Sequence, residues 1–181
     1  GTHTRSDDFR PDPDLEAGER SELADYKGSG YDRGHLAPAG SMRWDERAMS
    51  ESFLLSNMAP QVGVGFNRGI WKVLEEDERT WTTKRGELYI ITGPIYASDT
   101  IKHIGGNNVA VPTHFYKIMF DPIRVEAIAF ILPNVKNASS KLPTFITSVD
   151  DVEEETGLDF LPELEDGVEA LVEAKVQGAM W

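Results

Sequence analysis

Two apolar runs, residues 115–120 and 125–132, flank the short polar stretch Asp121-Pro122-Ile123-Arg124, and this pattern constrains the fold more than any other segment. Runs of this length around a Pro-containing turn predict an antiparallel pair of strands. The second run is apolar at nearly every position, as expected for a central strand covered on both faces rather than one. Such a sheet needs helices over it, and helical spacing is present. Residues 45–56 carry Ala48, Met49, Ser52 and Phe53 on one face, and residues 67–83 carry Ile70, Trp71, Leu74 and Trp81. Ser148, with Asp151 three residues on, predicts a capped helix ending near Gly157. A last helix is predicted over 164–176, with Val168, Leu171, Val172 and Val176 inward. Residues 88–92 read as a further strand, closed by Gly93-Pro94. The fold class is α+β, an antiparallel sheet core with flanking helices.

A chain of 181 residues with 40% apolar residues supports one substantial core. No repeat or linker divides it, so residues 1–181 are read as one domain. Residues 1–30 form an extended acidic arm, 31–83 hold the residues most suited to chemistry, and 84–181 supply sheet and C-terminal helices. Residues 57–66, with Pro60, Gly63 and Gly65, read as a loop. The longest apolar run is strand-sized, so no membrane span is expected. There are no cysteines, which excludes disulfides, thiolate nucleophiles and sulfur-ligated zinc. The chain opens Gly1-Thr2-His3 and reads as processed or trimmed.

The net charge of −13 runs against a phosphate-bearing partner. Its distribution weakens that objection. Residues 7–25 hold eight acidic residues against Arg10 and Arg20, and residues 150–173 hold eleven with no basic residue. Between Tyr26 and Phe120, eleven Lys/Arg meet ten Asp/Glu. The middle can therefore form a local basic cleft, and the acidic flanks read most simply as solubilising.

Of the four histidines, His35 has the most telling company. Asp32-Arg33-Gly34-His35 places a carboxylate, an always-charged planar donor and an imidazole around a glycine that permits close backbone approach. An imidazole of ordinary pKa, about 6.5, can take a proton from water at neutral pH. These four residues alone describe a surface turn with a salt bridge equally well. His103 and His114 read as structural, and His3 as part of a mobile end. A second cluster combines Asn57, Asn67 and Glu75. Amide oxygens suit a hard cation that keeps most of its waters. Eight residues of helix separate Asn67 from Glu75 by roughly 12 Å, too far for both to touch one ion directly. An N-cap for Asn67 and an exposed helical charge for Glu75 are the plain alternatives.

The segment Tyr31-Asp32-Arg33-Gly34-His35-Leu36-Ala37-Pro38 resembles the DRGH signature of the DNA/RNA non-specific endonucleases, which include secreted bacterial nucleases and mitochondrial endonuclease G. Leu55-Ser56-Asn57-Met58-Ala59-Pro60-Gln61, Asn67-Arg68-Gly69-Ile70-Trp71 and Leu74-Glu75 follow in the family's order. The resemblance implies a ββα-metal (His-Me finger) site and a nuclease that hydrolyses DNA and RNA to 5′-phosphate ends. On that basis His35 is the general base, and Asn67 is the direct protein ligand of one Mg²⁺, for which Mn²⁺ could substitute. Glu75 reaches the ion via water, Asn57 supports the site beside His35, and Arg33 contacts phosphate. Arg5 stands for the family's upstream charge-stabilising arginine, and Arg79 matches a family phosphate contact by position. The family usually has more chain before that upstream arginine, including a sheet strand. The resemblance further implies DNA and RNA as partners, room for a homodimer, and a secreted or periplasmic protein in bacteria or a mitochondrial one in eukaryotes. Two other readings are a phosphodiesterase restricted to one nucleic acid or to small nucleotides, and an inactive interaction module of the same fold.

Overall fold

The computed structural model describes residues 1–181. Its centre is a four-stranded antiparallel sheet of β3 (Tyr89–Ile95), β6 (His114–Asp121), β7 (Glu126–Pro133) and β8 (Ile146–Thr147), in that spatial order. The hairpin between β6 and β7 forms where the sequence predicts it. Asp121 is fully buried at the turn, and its Oδ1 accepts from the backbone N–H of Ile123 and of Arg124, each at 2.9 Å. Those bonds, with Arg85 and Arg124 on the other oxygen, hold its carboxyl at about 2 despite burial. β3 runs through Gly93-Pro94 to Ile95 instead of stopping there. As the sheet's edge strand it tolerates a residue without an N–H.

Period-two alternation divides the core into two layers. Phe115 and Met119 of β6, with Ile128, Phe130 and Leu132 of β7, face helix α3 (Trp71–Arg85), which adds Trp71, Leu74 and Trp81. Tyr116, Ile118 and Phe120, with Ala127 and Ala129, face helices α4 (Val149–Thr156) and α5 (Asp166–Ala174) on the opposite side. The Ser148–Asp151 capping box starts α4, and Gly157, left-handed at φ 70°, ends it. α5 is shorter than expected. It docks through Val168 and Val172, while Leu171 (77% exposed) and Val176 (54% exposed) point outward, contrary to the inward assignment. Leu171 lies off the i, i+4 edge of Val168 and Val172, and Val176 falls past the helix end at Ala174, so neither reaches the sheet.

The larger corrections fall in residues 31–70. Tyr31–His35 is strand β1, and the residues read as a loop begin with strand β2 (Met58–Val62), antiparallel to it. Gly34 and Pro60 depress strand propensity and hide the pair in sequence. The helix expected from residue 45 is α2 (Glu46–Glu51), capped by Asp45, and a 3₁₀ turn at Leu55–Asn57 follows. The helix expected from residue 67 is broken. Gly63–Ile70 is an irregular wide-turn segment with non-helical backbone at Val64, Gly65, Arg68 and Gly69, and α3 begins only at Trp71.

The arm is extended but packed. Arg10 bridges Leu54, Ser50 and Ser56 donate to Asp8 and Asp12, and Phe9 packs against Phe53. His3 is also held, its backbone N–H donating to Arg43 at 3.1 Å. Near the arm's end, helix α1 (Leu23–Tyr26) buries Asp25 and Tyr26. Strands β4 (His103–Ile104) and β5 (Val109–Ala110) form a separate ribbon, with His103 exposed. No helix is long and apolar enough to cross a membrane.

Candidate active site

The arm, α1, β1, the wide-turn segment and α3 meet at a cleft of about 760 Å³. Its wall includes Arg5, Arg33, His35, Asn67, Glu75 and Arg79. Asn57 is the one singled-out residue that does not reach it. Asn57 sits behind His35, its Oδ1 accepting from Ala37 N–H at 3.0 Å and its Nδ2 donating to the carbonyls of Ala37 and Ser52 at 2.9 Å. It ties the chain after β1 to the segment before β2.

His35 ends β1 opposite Met58. The hairpin packs tightly because Gly34 lacks a side chain: a Cβ there would lie 2.1 Å from the Gln61 side chain, which is fully buried. The imidazole is 8% exposed and contacts the rings of Phe53 and Phe9 edge-on, at 4.8 and 5.8 Å between centroids. Arg33 lies over the Phe9 ring at 4.0 Å and Arg5 over Phe53 at 4.7 Å. The same two aromatic rings thus brace both arginines and the histidine. Burial, reinforced by the Arg5 charge and partly opposed by Asp7, pulls His35 down to about 4. The ring is therefore neutral at physiological pH, as a proton acceptor must be, but less basic than its ordinary value suggests.

Asn67 lies on the wide-turn segment, and its orientation follows from its neighbour. Asp32 Oδ2, acceptor-only when ionised, receives Asn67 Nδ2 at 2.9 Å and Arg68 Nε at 2.9 Å. The amide nitrogen must face Asp32, so the amide oxygen is the free end. Glu75 is on α3, beyond the break at Arg68 and Gly69, so one straight helix does not set its separation from Asn67. Burial raises its carboxyl to about 7, against the lowering effect of Lys117, Arg79 and Arg5. A neutral oxygen fixed by a carboxylate, a second carboxylate held in a desolvated wall, and an unpaired imidazole together suit a hard divalent cation that keeps most of its waters. The cleft residues fit such an ion. Arg79 lines the cleft, and its Nη1 is enclosed without an acceptor.

Sequence reasoning missed Phe9, although it is the lone aromatic residue of the first twenty-five. It missed the orienting role of Asp32. It also missed Lys117, fully buried on β6 with its Nζ 2.6 Å from Glu78 Oε2 of α3, off the axis of a straight hydrogen bond, and 2.9 Å from Thr92 Oγ1. A buried lysine inside an apolar strand leaves no local signal until its partner is known. The objection from net charge also weakens locally. The cleft is lined by Arg5, Lys27, Arg33, Arg68, Lys72 and Arg79 against only Asp32 and Glu75.

Comparison with known proteins identifies the family. Residues 1–167 match the family model described as DNA/RNA non-specific endonuclease. The chain is 44% identical over 169 residues to Nuclease C1 of Cunninghamella echinulata var. echinulata, covering 87% of this chain and 67% of that protein. It is 38% identical over 173 residues to human mitochondrial endonuclease G, covering 88% and 58%. It superposes on a chain from the crystal structure of the EndoG/EndoGI complex with a TM-score of 0.85 at 37% identity, covering 91% of this chain and 73% of that one. The chain thus spans little more than half to two thirds of the length of these curated relatives. A ββα arrangement beside an antiparallel sheet, a family match over nearly the whole chain and this structural likeness place the protein in the DNA/RNA non-specific endonuclease family.

Proposed function

We propose that the protein is a Mg²⁺-dependent endonuclease that hydrolyses phosphodiester bonds of DNA and RNA with little regard for sequence. The observation that carries this reading is the convergence of His35, Asn67 and Glu75 with Arg5, Arg33 and Arg79 on one cleft. Neutral His35 accepts a proton from the attacking water, and the aromatic contacts of Phe9 and Phe53 keep its ring from turning away. Asn67 and, through water, Glu75 would hold the ion. Bound there, it would act as a Lewis acid, neutralising charge on the phosphate and on the departing 3′ oxygen. Arg5 and Arg33, preorganised on their aromatic supports, and Arg79, with its free donor, face the phosphate. The P–O3′ bond breaks as the water oxygen bonds to phosphorus, the 3′ oxygen takes a proton from water to become a hydroxyl, and a 5′-phosphate end remains. Groups that read only the backbone give little sequence preference, which suits both DNA and RNA.

Several relatives are mitochondrial by name, which supports a mitochondrial location if the source is eukaryotic. Length-resolved digestion of plasmid, single-stranded DNA and RNA, with Mg²⁺ and with chelator, tests the proposal. Metal-dependent endonucleolytic products from all three are expected. Activity confined to a small nucleotide diester, or unaffected by chelation, would overturn it.

A further inference from the structure

The far side of the sheet carries a second cluster of charge, unconnected with the cleft. Asp150 and Glu153 are three apart on α4, and Glu169 and Glu173 are four apart on α5, so each pair shares one helix face. Asp159 joins them from the connection between the helices. The carboxylate oxygens of Asp150, Glu153 and Glu173 lie within 4.8 Å of one another, as do those of Asp159, Glu169 and Glu173. Glu173 is shared by both groups. It is only 6% exposed, and its Oε1 is enclosed with no hydrogen-bond partner. No cation of the protein offsets this charge, because no lysine or arginine occurs between Lys141 and Lys175 and none of the five acids forms a salt bridge.

A buried, unpartnered carboxylate facing other carboxylates is costly unless something positive completes it. Calcium takes oxygen ligands at about 2.3–2.6 Å, so opposite oxygens of its shell stand roughly 4.6–5.2 Å apart. The oxygens of both groups already lie within such a shell. Magnesium, at about 2.0–2.1 Å and with strict octahedral demands, fits them less well.

We propose that α4, α5 and the connection between them bind a calcium-class divalent cation, with Glu173 as the buried ligand shared by the two helices. The ion would clamp α4 to α5 over the sheet and account for part of the acidic excess at the C-terminal end. The competing occupant is a proton. Burial first, and then the neighbouring Glu153, Glu169, Asp150 and Asp159, raise Glu173 to about 7.

Calorimetric titration of CaCl₂ into the chelator-treated full chain carrying Asn67→Ala, paired with thermal unfolding, separates the two. The Asn67 substitution removes the direct ligand assigned to the cleft and weakens binding there, and dependence on Glu173 then identifies the far cluster. Saturable binding with Kd below about 1 mM and a Ca²⁺-dependent rise in Tm are expected. Adding Glu173→Gln should weaken binding by at least about tenfold and abolish the rise. Glu169→Gln, at a less buried position, should weaken it in the same direction and serves if the Glu173 variant does not fold. Absence of saturable binding at about 10 mM Ca²⁺, or binding unchanged by both substitutions, would overturn the proposal and leave the proton as the occupant.

Discussion

The two faces of the central sheet handle buried charge in opposite ways. On the α3 face, Lys117 is fully buried but meets Glu78, and His35 is desolvated to neutrality beside a cleft rich in arginine. On the α4–α5 face, Glu173 is buried among carboxylates without a cation from the chain. The contrast teaches that the net charge of −13 describes neither face. It sums an electropositive cleft, suited to a phosphodiester, and an acidic layer that needs a counter-ion from outside.

The comparison breaks first at His35. Replacing it with alanine should lower the hydrolysis rate by about 10²–10⁴-fold, the usual worth of a positioned general base, in a variant that still unfolds cooperatively. Steady-state digestion of plasmid and thermal unfolding together check this, and full activity in a folded variant would contradict it. Next comes the claim that the charges of the α3 face are mutually compensated. Lys117→Met leaves Glu78 buried and unpaired, so stability should fall by about 3–5 kcal/mol, read by denaturant unfolding. The double variant Lys117→Met with Glu78→Leu should recover much of that loss. No recovery would mean that the lysine acts by some route other than its partner.

Arg79 sharpens the cleft side of the contrast. If its enclosed Nη1 awaits phosphate, Arg79→Ala should raise KM for DNA by about 10–100-fold, the worth of one hydrogen bond to a charged group, and leave Tm unchanged. A lowered Tm with unaltered KM would reassign it to structure.

The smallest expected effect is in pH. Glu75 has a raised pKa, so its contribution to stability is complete below the ordinary carboxylate value and is lost as pH rises through about 7. His35 has a lowered pKa, so its contribution is complete above its ordinary value and is lost as pH falls toward about 4. In metal-free protein, Glu75→Gln should therefore lose less Tm than wild type between pH 5 and pH 8. His35→Ala should lose less than wild type between pH 6.5 and pH 4. Parallel curves for either variant would mean that the group does not titrate as its burial requires.

How far the residues disclosed the site depends on how local each signal is. Asp32-Arg33-Gly34-His35 lies in one short strand, and Gly34 is explained by a single packing contact with Gln61, so the word carries its own context. Asn67 and Glu75 were legible as chemistry but not as geometry. The break at Arg68 and Gly69 turns what reads as one amphipathic helix into two pieces. β1 and β2 escaped because glycine and proline interrupt strands that tertiary pairing nonetheless holds together. Phe9 and Lys117 escaped for a related reason. Each gains its meaning from a partner more than thirty residues away, Phe53 in one case and Glu78 in the other.

The central claim is that the site has two separable halves, a base at His35 and an ion held through Asn67. Calorimetric titration of Mg²⁺ into His35→Ala and Asn67→Ala, each with Glu173→Gln to silence the far cluster, tests it most directly. His35→Ala should bind one Mg²⁺ in the cleft with wild-type affinity, while Asn67→Ala should bind it at least about tenfold more weakly. Equal Mg²⁺ affinity in the two variants would contradict the account.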